Sequence, residues 1–209
     1  MPLAVSLSAA DLSALLCSRI CHDLISPVGA INNALELYDE GEAEEDALHL
    51  TRLSATSASA RLQFARIAYG AAGSEKAQID TGEAETIAQK YMANEKADLV
   101  WNGPRRLLPK NEIKLLLNLI ALANTCLPRG GTIHLTLHHD QQRSQFLLVC
   151  TGKLLLVPPK FMELHKGTAP AEPIDAHSVQ FYYTLLLADL TGMPVTINMT
   201  GKDIVFCAG

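Results

Sequence analysis

Arg19-Ile-Cys-His-Asp-Leu-Ile-Ser-Pro27 is the stretch that decides the reading of this chain. It belongs to a long apolar stripe: Leu12, Leu16, Ile20, Leu24, Val28, Ile31 and Leu35 follow one another at spacings of four or three. That is the period of one helix face. Ser8, with Asp11 three residues later, supplies a helix start. With about 3.6 residues per turn, His22 lies roughly 160° from the midline between Ile20 and Leu24 and so points away from the stripe. Ser18, Arg19, Ile25, Ser26 and Gly29 lie three, four or seven residues from it and share its face.

A second helix is expected from Glu44 to Ala72, with Leu48, Leu53, Ala60, Phe64 and Ile67 inward and Arg52, Arg61 and Arg66 toward solvent. The link at Tyr38-Asp-Glu-Gly-Glu42 is short, so the two helices should fold back as an antiparallel hairpin. Such a hairpin cannot bury its apolar faces alone. Two copies can, as a four-helix bundle, and a homodimer is therefore expected. The alternative is a hairpin packed on the rest of the chain.

Gly70-Ala-Ala-Gly-Ser74 ends this first unit, residues 1–74. Helices and strands then alternate. Helices are expected near 82–95, 111–127, 160–165 and 177–191, and strands near 98–101, 132–139, 144–150, 195–199 and 203–207. The second unit, residues 75–209, thus reads as an α/β sandwich and the whole chain as α+β.

Bulk composition narrows the function. A net charge of −5 argues against a duplex nucleic-acid binder. The unbroken apolar runs, such as Leu115–Leu117 and Leu154–Val157, are too short to cross a bilayer. No signal peptide opens the sequence, so a cytoplasmic protein is expected. The five scattered cysteines suit a reducing compartment. Cys17, Cys21 and His22 on one helix cannot enclose zinc unaided, and Cys21 reads as a small buried thiol. His134, His138 and His139 read as exposed strand residues. No nucleophile elbow, zinc-protease motif or Walker loop is present in the sequence.

The face of His22 has the residue types that phosphoryl transfer uses. A neutral imidazole can attack an acyl phosphate. Asp23 can hold its tautomer or accept its proton. Arg19 can offset the phosphoryl charge of roughly −2, and Ser26 can hydrogen-bond a phosphoryl oxygen or a water. Gly29 leaves room for a partner to dock. Pro27 gives up one backbone hydrogen bond just past the site. His22, Asp23 and Ser26 are the candidate catalytic residues; Arg19, Ile25 and Gly29 are candidate partner contacts.

His22-Asp-Leu-Ile-Ser-Pro27 resembles the phospho-acceptor motif of sensor histidine kinases, His-Glu/Asp-x-x-Thr/Asn-Pro. Lys114-Leu-Leu-Leu-Asn118 through Pro128-Arg-Gly-Gly-Thr132 resembles their ATP-binding domain. Against that pattern Leu122 stands where an asparagine should hold magnesium. Cys150 and Leu154 replace the aspartate and second glycine of the adenine loop, and Ser178-Val-Gln180 replaces a phosphate-loop glycine pair. Cys21-His-Asp-Leu-Ile-Ser-Pro-Val-Gly-Ala-Ile31 and Ile174-Asp-Ala-His-Ser178 are similar to the ChpT-type histidine phosphotransferases of bacterial cell-cycle phosphorelays. That resemblance implies a dimeric, kinase-like body that binds no ATP or other cofactor. It would take a phosphoryl group from the receiver of a hybrid histidine kinase (CckA-type). It would pass the group to CtrA-type and CpdR-type response regulators, with Mg²⁺ brought by the receiver. An ATP-dependent kinase fragment, a receiver phosphatase using Ser26 and a non-catalytic dimeric scaffold are the competing readings. Pro158-Pro-Lys-Phe-Met-Glu163 reads either as a docking surface or as a covering helix.

Overall fold

The computed structural model describes residues 5–41, 43–70, 77–140 and 143–209. Helix α1 (Ala9–Asp39) begins where Ser8 Oγ accepts from the Asp11 amide at 3.1 Å. It turns through Gly41 and Ala43, both in the left-handed region, into α2 (Glu44–Ala68). The hairpin is antiparallel, as the spacing predicts. Helix α2 ends four residues before the expected Ala72. The boundary Gly70-Ala-Ala-Gly-Ser74 lies, after Gly70, outside the described residues, as does Glu42 of the hairpin link.

The rest forms β1 (Gln78–Asp80), α3 (Thr81–Met92), β2 (Ala97–Asn102), β3 (Leu107–Pro109), α4 (Lys110–Thr125), β4 (Gly131–Asp140) and β5 (Arg143–Gly152). Then follow α5 (Pro159–His165), α6 (Val179–Thr191), β6 (Val195–Met199) and β7 (Ile204–Ala208). Five strands make one sheet in the order β2-β4-β5-β7-β6, parallel only between β2 and β4. One sheet face is buried: Ile133, Leu135 and Leu137 of β4 alternate inward, opposite Phe146, Leu148 and Cys150 of β5. The other face meets water and carries His134 and His138. Helix α4 lies in the middle of the core, with Leu115 through Ile120 fully enclosed. Phe161 of α5 packs edge-on against Phe181 and Phe206, so this segment is a covering helix.

Strands β1 and β3 are an addition to the expected elements. They pair antiparallel, Gln78 to Pro109 and Asp80 to Leu107. Three residues each, one ending in proline, they are too short to leave a period in the sequence.

Hairpin and sandwich share one core. Phe64, Ile67 and Ala68 of α2 belong to it, and Phe64 stacks on Tyr91 of α3 at 4.1 Å. Arg61, expected toward solvent, instead pairs with Glu95 at 2.8 Å and lies over the Tyr91 ring. Its long stem lets the charge reach across to α3. The base of the hairpin is thus docked, while its far half is not: Val28, Leu35, Leu48 and Leu53 remain exposed. By length and composition α1 is also apolar enough to cross a membrane, a property that counting unbroken runs misses. Here it lies against α2 and α6.

Candidate functional site

The site forms where α1 passes the start of α6. His22 projects from α1 with 58% of its side chain exposed. It opens onto a groove of about 560 Å³ also lined by Ser26 and Pro27 of α1, Ser54 and Arg61 of α2, and Asn94. Pro27, inside the helix, has no N–H for the Asp23 carbonyl one turn back.

Asp23 has two neighbours. Its Oδ1 lies 3.8 Å from His22 Nδ1, close enough to favour an N–H on that nitrogen without a formed hydrogen bond. Its Oδ2 accepts from Arg19 Nε at 2.9 Å. Arg19 differs from the expected exposed cation. Only 14% of its side chain is accessible, and its Nη1 donates to the His177 carbonyl at 3.1 Å. The residue three before His22 shares its face only loosely. A long side chain placed there can lean toward α6, where an acceptor awaits it. Arg19 therefore ties Asp23 to the segment that leads into α6.

Ile25 is 69% exposed, the most exposed large apolar residue of α1. A Cβ added to Gly29 would meet nothing within 4 Å, so nothing in the protomer itself requires glycine there. Cys21 corrects the sequence reading: it is exposed, not buried, as is Cys17. The stripe beside it covers less of the helix than the apolar count implies.

His177 is the residue that sequence reasoning missed. Its ring meets the His22 ring edge to face, with centroids 4.4 Å apart and planes at 78°. Asp175 anchors that segment, accepting from the amides of Ser178 at 2.8 Å and His177 at 3.2 Å and from Ser178 Oγ. The Ser178 hydroxyl and amide bonds pull the Asp175 pKa down to about 2. The available signal was Asp-x-x-Ser just before a helix, a capping pattern that fixes where residue 177 points. Below the site, burial pushes the Tyr69 hydroxyl well above its usual range, so it stays protonated beside Arg19.

The positions at which kinases hold nucleotide have other occupants. Leu122 is fully enclosed in the core, and Asn124 donates to Glu95 at 2.9 Å. Cys150 is fully buried, its thiol pushed up to about 12 by burial. Gly152 packs so closely on the Gly130–Gly131 turn that a Cβ would come 2.7 Å from the Gly130 carbonyl. Gln180, fully buried, donates to the Asn118 carbonyl at 2.9 Å and closes the seam between α4 and α6. The side chains of Leu122, Cys150 and Gln180 thus face the core.

A helical hairpin carrying an exposed imidazole, followed by an ATPase-fold sheet, defines a histidine-kinase-like body. Residues 81–203 match the family model described as the histidine phosphotransferase C-terminal domain. The chain is 60% identical over 208 residues to the protein phosphotransferase ChpT of Brucella abortus (strain 2308), covering 100% of both. It superposes on a solved structure described as a bacterial phosphotransferase with TM-score 0.94 and 58% identity, again covering 100% of both chains. Full-length ShkA in complex with AMPPNP shares the fold alone, at TM-score 0.51 and 18% identity over 97% of this chain and 45% of that one. The chain belongs to the histidine phosphotransferase family. It is a phosphotransferase of a phosphorelay, a role that implies kinase and response-regulator partners.

Proposed function

We propose that His22 is the phosphoryl carrier of this relay. The observation that supports it best is an exposed imidazole at the mouth of the groove, with a carboxylate held beside its Nδ1. The donor is a phospho-aspartate on the receiver of a hybrid histidine kinase of the CckA type. The lone pair of neutral His22 Nε2 attacks phosphorus. An N–P bond forms, the P–O bond to the aspartate breaks, and that electron pair leaves on the carboxylate. Nδ1 keeps its proton, and Asp23 offsets the positive charge the ring gains. Ser26, on the same groove, hydrogen-bonds a phosphoryl oxygen. Reversing the steps with a second receiver loads response regulators of the CtrA and CpdR types. Donor and acceptor receivers use one face, around Ile25 and Gly29, and so compete.

In this reading the protein works in the cytoplasm as a homodimer. Its bundle closes over the exposed Val28, Leu35, Leu48 and Leu53. Magnesium arrives with the receiver, and no ATP is bound, a view supported by the enclosed Leu122, Cys150 and Gln180. The test is transfer of label from a phosphorylated receiver. His22→Ala should accept none, with the fold unchanged; label retained on that variant refutes the assignment. Micromolar binding of ATP in a calorimeter would restore the kinase reading.

A further inference from the structure

We propose that His177, delivered by the second domain, is the positioning residue of His22. The inference rests on His22 being the phosphoryl carrier.

The geometry is unusual for an exposed side chain. His177 is on the surface, yet its backbone is tied on both sides. Its carbonyl accepts from Arg19 at 3.1 Å, and its own N–H donates to Asp175 at 3.2 Å. The next residue is tied to the same carboxylate through its amide and its hydroxyl. These bonds fix the backbone from which the ring projects. The ring is placed against His22 at 4.4 Å.

An imidazole on a helix surface ordinarily samples several rotamers. Here the His177 ring at 4.4 Å and Asp23, 3.8 Å from Nδ1, both narrow that range. The ring is thereby held with Nδ1 toward the carboxylate, which leaves Nε2 to meet phosphorus. Arg19 serves both restraints, since one guanidinium holds Asp23 and the His177 carbonyl together. The second domain so reaches the reacting ring through His177.

The experiment compares His177→Ala and His177→Phe with the wild-type chain in transfer time courses, from a phosphorylated receiver to His22 and from His22 onward. Removing the ring should slow both directions by about 10- to 100-fold, the usual cost of losing a near-attack orientation. Phenylalanine, a ring without nitrogens, should return most of the rate. Wild-type rates in His177→Ala overturn the proposal, and so does an equal loss in both variants. A second measurement needs no phosphate. Ring-carbon NMR relaxation of His22 should show a restrained ring in wild type and a mobile one in His177→Ala. Equal mobility overturns positioning even where His22 is labelled. A restrained ring in a chain whose His22→Ala variant still takes label leaves the contact standing and removes the carrier assignment instead.

Discussion

Helices α1 and α4 are both long and rich in leucine, and they end in opposite circumstances. Helix α4 has 16 residues and buries 12 of them; α1 has 31 and buries only Pro27 and Ala34. The difference lies in how the apolar residues are spread. Those of α4 surround the helix, from Ile113 through Ala123, which is the pattern of a core helix. Those of α1 form one stripe. Helix α2 and the start of α6 cover part of it, and the rest, Val28 and Leu35 included, is exposed. The sandwich closes its core with its own elements and the base of α2, whereas the far half of the hairpin leaves its apolar residues open.

That contrast can be broken most directly in the core. Leu116→Ala should cost about 2–5 kcal/mol of stability, read in a denaturant melt, because a fully enclosed leucine leaves a cavity. A loss under about 1 kcal/mol would mean that α4 is not the rigid centre it looks to be.

The hairpin should answer in the opposite way. Leu53 is 55% exposed in the protomer. Leu53→Glu should therefore change the protomer's stability by no more than about 0.5 kcal/mol, the range for open surface positions. On the dimer reading it should halve the mass in sedimentation, since a buried carboxylate in the bundle has no partner. An unaltered mass would separate the exposed leucines from self-association.

The smallest effect joins the two regions. Asp175 has its pKa lowered to about 2, so the segment it anchors gains stability from the ionised carboxylate. That contribution is complete above the ordinary carboxyl pKa of about 3.9 and is lost as the pH falls through the folded value. NMR titration of the Ser178 amide should show an acid midpoint near 2. A midpoint near 4 would show that the anchor does not hold in solution.

Much of this was legible in the residues. The stripe from Leu12 to Leu35 gave the first helix, and the short link gave the hairpin, because both follow from local period. The same holds for the long strands, where alternation of Ile133, Leu135 and Leu137 is strict. Strands β1 and β3 were not legible, since three residues carry no period. At the site, His22, Asp23 and Ser26 stood out because they lie within one helical turn or so of each other. Arg19, Arg61 and His177 were misread or missed for one common reason. Each owes its surroundings to an element far away in sequence: the start of α6 for Arg19, Glu95 for Arg61, α1 for His177. Cys21 shows the reverse, a neighbour that never arrives within the protomer.

Gly29 carries a consequence for how such a protein could change. Glycine inside a helix is less favourable than alanine by about 1 kcal/mol, and here the space for a methyl group is open. A selection for heat resistance alone would therefore choose alanine at this position. Under the docking reading it would thereby thicken the face that a receiver must approach. Residue 29 marks a point where robustness and traffic pull apart, and a thermal screen would be blind to what it had discarded.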